Sequence, residues 1–97
     1  MLSLSIHRLA ERELNEAAAW YERERPGLGL DFLEQVNRSF GAILDFPMLG
    51  TPIAPGVRRR LLHRFPYAII YSVKPDLIRV LAVMQLKRKP PYWVGRT

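Results

Sequence analysis

The spacing of apolar residues changes from helical to extended half-way along the chain, which limits it to a mixed α+β fold. Alternating apolar and polar residues at 2–6 predict a first strand. Two helical stripes follow, at about 8–25 and 32–44, and each has one apolar face. The break between them contains Pro26, Gly27 and Gly29. We therefore expect an antiparallel helical hairpin.

The second half of the chain predicts a sheet. Residues 47–56, with three prolines and two glycines, are expected to form a loop. Three β-type runs follow at about 58–65, 67–73 and 77–86. The last run, LIRVLAVMQL, is almost continuously apolar and predicts a central strand that is covered on both faces. The expected fold is α+β: an N-terminal strand, a helical hairpin and a three-stranded antiparallel meander, with both helices on one face of the sheet.

The chain is expected to form one domain over residues 1–97, with a basic aromatic tail at 87–97. Within the tail, Pro90 and Pro91 are expected to prevent a regular helix at its start. The sequence contains no cysteine, which excludes disulfides and thiolate catalysis. No apolar run reaches membrane-spanning length, and we expect a cytoplasmic protein without a membrane partner.

The basic residues are concentrated in the second half of the chain. Residues 1–50 carry five arginines and eight acidic residues, whereas residues 51–97 carry ten lysines and arginines and only Asp76 as an acid. Such an imbalance predicts an acidic partner, either nucleic acid or protein. We expect the cations to lie on the face of the sheet that no helix covers.

The segment RRRLLHR places four of these cations within seven residues. If residues 58–65 form one strand, Arg58, Arg60 and Arg64 share one face and Arg59 and His63 share the other. Guanidinium groups in a row can bind phosphate or carboxylate, although charge on a strand edge also serves only to prevent aggregation. His63 has the ordinary pKa range of a general base, but a lone strand histidine is more often structural.

Aromatic residues give two further alternatives. Trp20 and Tyr21 are expected to anchor the helical hairpin, or to line one side of a partner groove. Tyr92 and Trp93 stand among cations, which suits stacking on bases, but a tail tryptophan equally often folds back onto a sheet. The sequence shows no metal-ligand spacing, no phosphate-binding glycine loop and no Ser-His-Asp set, so no metal and no cofactor are expected.

The order of these segments resembles the RelE/ParE superfamily of bacterial type II toxins. The resemblance rests on the helical string AERELNEAAAWYERERPGLGLDFLEQV, the loop FPMLGTPI, the strands VRRRLLHRFPYAIIYSV and IRVLAVMQLKRKPPYW, and Arg96. It covers essentially the whole chain. It implies a small basic toxin that a cognate antitoxin neutralises. Under this resemblance the antitoxin is expected to contact Trp20, Tyr21, Arg58 and Arg60.

The superfamily has two modes of action. Ribonuclease members cut mRNA on the ribosome, and ParE-type members inhibit DNA gyrase by binding it. The arginine that ribonuclease members place before the apolar strand corresponds here to Ala68, and Gln85 and Leu86 replace a histidine pair or a histidine–arginine pair. A well-placed carboxylate is also missing, because Asp76 lies in a turn and Glu34 on a helix. The resemblance therefore favours a ParE-like inhibitor over a ribonuclease, and a non-toxic nucleic-acid-binding domain is a third alternative.

These arguments assign three groups of site residues. The catalytic residues are left open, and the candidates, if RNA is cleaved, are Arg60, His63, Arg88 and Tyr92. The residues expected to bind the target, either gyrase or the ribosome with its mRNA, are Arg58, Arg59, Arg60, Arg64, Arg79, Lys87, Arg88, Tyr92 and Trp93. The antitoxin residues are the four named above.

Overall fold

The computed structural model describes residues 2–89 and 92–97, so Pro90 and Pro91 of the tail lie outside the described residues. Two helices and five strands follow one another in the chain. Their bounds are β1 Ser3–Ile6, α1 Arg8–Glu24, α2 Leu28–Asp45, β2 Thr51–Ala54, β3 Val57–Leu61, β4 Tyr67–Val73 and β5 Leu77–Gln85. This order confirms the predicted strand, helical hairpin and three-stranded meander.

The five strands form one sheet in the order β1-β5-β4-β3-β2. β1 is parallel to β5, and the other neighbours are antiparallel. β1 pairs with β5 only from Leu77 to Val80, because β1 has four residues and β5 has nine. Among the described residues, no strand therefore pairs with the second half of β5 on that side, and this edge is available to side chains.

The expectation of a loop at 47–56 is wrong, because Thr51–Ala54 form the edge strand β2. Its partner is β3, and the pairing shifts between Pro52 and Ala54. Proline is tolerated in an edge strand because the hydrogen bond that it cannot donate would point to solvent. Gly56, with a positive φ of 71°, then closes the tight turn into β3.

The first predicted β-run is also too long, since β3 ends at Leu61. Arg64 has a positive φ of 73°. The Leu62 N–H donates to the Tyr67 carbonyl, across the connection between β3 and β4. Pro66 cannot donate a ladder hydrogen bond, so the strand does not continue into β4. Arg64 and His63 consequently lie in a turn, and the predicted alternation of faces holds only for the three arginines of β3.

Both helices pack on one face of the sheet, as predicted. The residues that form this core include Phe32, Val36, Ile43, Ile69 and Tyr71. Gly29 was expected to help break the helices but lies inside α2, where an added Cβ atom would stand 2.6 Å from the Ala18 carbonyl oxygen. Glycine at this position therefore allows the two helices to approach closely.

The opposite face of the sheet is covered by the tail rather than by a helix. Trp93 is 6% exposed and packs with Ala68, Ile70, Leu81 and Met84. The pairing of β4 with β5 shifts next to Leu81. This shift changes which side chains point to each face. The almost continuous apolar run of β5 follows from burial on both faces, because its side chains divide between the helix-side core and the tail-side core. The expectation that this strand is covered on both faces is confirmed, although β4 is the middle strand.

His7 caps the N-terminus of α1. Its Nδ1 accepts a hydrogen bond from the Leu9 N–H at 3.0 Å, which requires the neutral imidazole with its proton on Nε2. Burial is the main cause that lowers the pKa of His7 below its ordinary value of 6.5, and Arg79, Arg96 and Arg8 lower it further against an opposing effect of Glu13. The folded protein thus favours the neutral cap.

This cap predicts a pH-dependent stability. The unfolded chain protonates His7 first, so the free energy of unfolding should fall as pH drops from about 6.5 towards the lower pKa of the folded state. In a His7→Asn variant, whose side chain accepts the same hydrogen bond without titrating, that part of the fall should disappear. Urea denaturation between about pH 8 and about pH 5 measures this. A His7→Ala control should be about 0.5–2 kcal/mol less stable than His7→Asn, and identical pH profiles for wild type and His7→Asn would contradict the assignment.

Candidate functional site

The three arginines of β3 do not share one environment. Arg58 pairs across the strands with Tyr71 and Arg60 with Ile69, so both side chains project to the face that carries the helices. Arg59 pairs with Ile70 and projects to the opposite face. The expectation that these cations line the helix-free face is therefore right for Arg59 and wrong for the other two, because the register of β3 sets their direction.

Arg58 is engaged within the protein. Its guanidinium donates to the carbonyls of Gly50 at 2.7 Å and Met48 at 3.1 Å. The Tyr71 hydroxyl supports the same turn, since it donates to the Pro47 carbonyl at 2.9 Å and accepts from the Gly50 N–H at 2.8 Å. These contacts hold the segment between α2 and β2 against β3 and β4, so Arg58 has a structural role.

Arg60 has a different environment. Its Nε is buried and has no hydrogen-bond partner among the described residues. Together with Arg59, Arg60 lines an open pocket of about 270 Å³ at the edge of the sheet, whose walls include Thr51 and Leu61. A buried donor without an acceptor is costly in an isolated protein. Independently of this buried atom, two arginine side chains line the pocket, and guanidinium groups bind acceptors such as a carboxylate or a phosphate.

A second set of charged groups joins the tail to α1, and we call it the tail cluster: Glu13, Arg88, Tyr92 and Arg96. Arg96 binds the Glu13 carboxylate with two parallel hydrogen bonds of 3.0 and 3.1 Å. Arg88 Nη1 lies 3.7 Å from the same carboxylate. The guanidinium carbons of Arg88 and Arg96 lie 3.8 and 5.0 Å from the centre of the Tyr92 ring. One carboxylate thus faces two cations that share an aromatic ring.

The tail cluster also completes the free edge of β5. The Val83 N–H donates to Glu13 at 3.0 Å, and the Leu81 carbonyl accepts from Arg96 at 2.9 Å. These backbone groups lie just beyond the last residue of β5 that pairs with β1. Two side chains therefore take the place that a longer first strand would occupy, and they satisfy backbone groups that would otherwise be costly to bury.

Tyr92 is poorly suited to accept a proton. Its hydroxyl is buried and has no partner with hydrogen-bond geometry among the described residues. Burial and then the negative charge of Glu13 raise the pKa of Tyr92 well above the ordinary value of 10, although Arg88 and Arg96 oppose the shift. The phenol consequently keeps its proton at neutral pH and cannot serve there as a general base.

A groove runs beside the tail cluster, between α1 and the ends of β4 and β5. Its part next to the cluster is a pocket of about 250 Å³, and an adjoining pocket of about 450 Å³ shares three lining residues with it. The shared residues are Trp20, Tyr67 and Gln85. Trp20 is 50% exposed, whereas Tyr21 packs against Phe32 and Phe65. Tyr21 therefore anchors the hairpin, and Trp20 is presented to the groove.

Several predicted site residues form contacts within the protein itself. Arg64 lies 3.8 Å from Asp31 on the surface. Arg79 donates to Ser5 and to the Thr97 carbonyl, and Trp93 is buried in the tail-side core. By contrast, Lys87, Arg88 and Lys89 are exposed in the turn after β5, and His63 is exposed in the turn after β3.

The four catalytic candidates are not brought into one pocket. Arg88 and Tyr92 line the groove, whereas Arg60 lines the pocket beside β2 and β3. The sequence analysis considered Asp76 and Glu34 as carboxylates near a site and missed Glu13, which contacts both arginines of the tail cluster. The sequence did contain a signal for it: Glu13 lies between Ala10 and Ala17 on the buried stripe of α1, where a carboxylate needs a partner.

In the described part of the chain, no helix is long and apolar enough to cross a membrane. Within residues 2–89 and 92–97, no group of three or more histidine, cysteine, aspartate or glutamate side chains is arranged so that it could hold a metal ion.

Comparison with known proteins gives one family. The family model described as the ParE toxin of the type II toxin–antitoxin system parDE matches residues 4–90. A solved structure described as the chromosomal ParDE toxin–antitoxin system from P. aeruginosa superimposes with a TM-score of 0.78 at 23% sequence identity. That match covers 89% of this chain and 97% of the other. No curated protein sequence matches the chain.

Proposed function

The chain belongs to the ParE toxin family of type II toxin–antitoxin systems, and on that premise we propose that it arrests growth by binding DNA gyrase. We further propose that a cognate antitoxin neutralises it, and that both proteins act in the cytoplasm. The proposed action is inhibition by binding, without a chemical step on nucleic acid.

The division of the catalytic candidates between two sites is the observation that carries this proposal. General acid–base cleavage of RNA needs a proton acceptor and a stabiliser of negative charge at one scissile phosphate. In the tail cluster, the Glu13 carboxylate already receives hydrogen bonds from Arg96 and the Val83 N–H, and the hydroxyl of Tyr92 is buried. Ala68 is fully buried beneath the tail and supplies no charge. Binding needs none of these functions.

Two surfaces support a binding role. The exposed turn with Lys87, Arg88 and Lys89 borders the groove that presents Trp20, and Arg59 and Arg60 line the pocket beside β2 and β3. Tryptophan, tyrosine and arginine are the residues that most often dominate binding energy in protein interfaces. The concentration of cations in the second half of the chain favours an acidic surface on the partner. We propose the turn with Lys87, Arg88 and Lys89 and the pocket lined by Arg59 and Arg60 as target contacts, and Trp20 with the groove as the antitoxin contact.

Growth arrest is the first expected result. Expression of the soluble chain in a bacterium that lacks its antitoxin should stop growth, because the family acts on an essential cell component. Colony counts after induction measure the effect, with soluble protein confirmed on a gel. Normal growth with ample soluble protein would contradict the proposal, and recovery on co-expression of the antitoxin from an adjacent reading frame would support neutralisation.

The target is tested by two assays run in parallel with the same preparation. In the first, purified protein should inhibit supercoiling by DNA gyrase. In the second, translating ribosomes are incubated with the protein, and the ends of the mRNA are mapped. We expect inhibition of gyrase and intact mRNA. Codon-aligned cuts on ribosomes together with unaffected gyrase would instead establish the ribonuclease alternative.

A further inference from the structure

We propose that Glu13 is a positioning residue, which holds the tail on the sheet and fixes Arg88 in the orientation that binds the target. This inference rests on the proposed function, because it concerns the same target-binding surface. Glu13 itself is not expected to touch the target. It acts through the arginines that it contacts.

The contacts of Glu13 connect three parts of the chain. Its carboxylate joins α1 to the tail through Arg96 and to the free edge of β5 through the Val83 N–H. Arg96 in turn donates to the Leu81 carbonyl. The side chains of Glu13 and Arg96 are only 13% and 12% exposed, so water screens this pair weakly. The Glu13 carboxylate therefore contributes to the position of the tail, in addition to the packing of Trp93.

The Arg88 side chain contacts Glu13 and Tyr92 on one side and is exposed to solvent on the other. Its guanidinium approaches Glu13 at 3.7 Å and covers the Tyr92 ring at 3.8 Å, yet the side chain is 56% exposed. A free arginine loses considerable side-chain entropy when a partner immobilises it. Glu13 and Tyr92 impose part of that order before binding, and such pre-organisation increases affinity without adding a contact to the partner.

The burial of Glu13 distinguishes positioning from direct contact. Its Oε1 accepts from the Val83 N–H and from Arg96, and its Oε2 accepts from Arg96 and faces Arg88. Glu16, one turn further along α1, lines the same pocket and is exposed. If only the negative charge of the pocket mattered, Glu16 would be as important as Glu13. The proposal requires that only Glu13 matters.

The test uses Glu13→Gln with Glu16→Gln as its matched control. Glutamine retains the size and an acceptor for the Val83 N–H, but it cannot balance two guanidinium charges. Inhibitory potency is measured in whichever assay, gyrase or ribosome, responds to the wild type. We expect Glu13→Gln to lose about tenfold or more in potency, the loss that follows when one or two long side chains must be ordered on binding. Glu16→Gln should retain wild-type potency.

A second readout follows the tail directly. The sequence contains two tryptophans, so a Trp20→Phe background leaves Trp93 as the only tryptophan. In this background, used for fluorescence alone, Glu13→Gln should shift the emission to longer wavelength as Trp93 becomes hydrated. Arg96→Gln should reproduce both effects, and Arg96→Lys, which retains a charge for Glu13, should restore part of each. Circular dichroism melting confirms that every variant is folded, and the Arg96 pair supplies the test if Glu13→Gln does not fold.

Two results would overturn the inference while the wild type remains active. One is unchanged potency of Glu13→Gln, with or without a displaced Trp93, and the other is lost potency with an unchanged Trp93 signal. A wild type that is inactive in both target assays would instead refute the proposed function, and the positioning role that rests on it.

Discussion

Replacing Trp93 with alanine is expected to lower the free energy of unfolding by about 3–5 kcal/mol, the usual cost of removing a large buried aromatic side chain. The indole is 6% exposed and lies on the small and aliphatic side chains of β4 and β5. Its Nε1 has no hydrogen-bond partner in the described residues, so the expected loss comes from packing. Without the indole, the buried Ala68 and Ile70 would face solvent.

Urea denaturation at neutral pH measures this loss, and Val94→Ala is the matched control. Val94 is the next residue of the tail and is 65% exposed, so its truncation should change stability by less than about 0.5 kcal/mol. A loss below about 1 kcal/mol for Trp93→Ala would show that the tail does not cover the sheet in solution. The expected result would remove Trp93 from the residues available to a target in the docked conformation.

Trp93 also illustrates which features the sequence could predict. Periodicity correctly gave the helical hairpin and the meander, because the apolar faces of these elements are determined by neighbours within each element. Whether a tail tryptophan binds a partner or folds back depends on a contact far along the chain, with Ala68 and Ile70. Local patterns contain no information on such a contact, and both alternatives remained open until the structure was known.

Two predictions about the sheet were wrong, and each has a local physical cause. Proline and glycine indicated a loop where β2 forms, because an edge strand tolerates proline on its open side. Arg64 was placed in a strand because β propensity does not reveal a positive φ, which a non-glycine residue adopts only when the surrounding turn requires it. In both cases the hydrogen-bond partners of the backbone, and not the residue types, decide whether the segment belongs to a strand.

The candidate site was less predictable than the fold. The basic segment correctly indicated a concentration of charge, but the register of β3 decides which arginine is engaged and which is available. Glu13 was missed because α1 was assigned one apolar and one polar face. A carboxylate within the apolar stripe was the useful signal, since burial of a charge requires a partner elsewhere in the fold.

Arg60→Gln is expected to reduce inhibitory potency about tenfold or more while leaving stability almost unchanged. Arg60 and Arg58 project to the same face of β3, two residues apart, but only Arg58 has its guanidinium bound to backbone carbonyls. Nε of Arg60 is buried and has no partner among the described residues. A hydrogen bond from a charged donor contributes about 1.5–3 kcal/mol, which corresponds to roughly ten- to a hundredfold in affinity.

Arg58→Gln provides the matched comparison, and the two variants should have opposite effects. Loss of the bonds to Met48 and Gly50 should lower the free energy of unfolding by about 1.5–3 kcal/mol, with potency little changed once the protein is folded. Each variant is measured by urea denaturation and in the target assay to which the wild type responds. If Arg60→Gln retained full potency, the Arg60 guanidinium would have no role in binding the target. Equal losses of potency in both variants would mean instead that the target responds to total charge, and that the geometry of β3 does not determine which arginine it contacts.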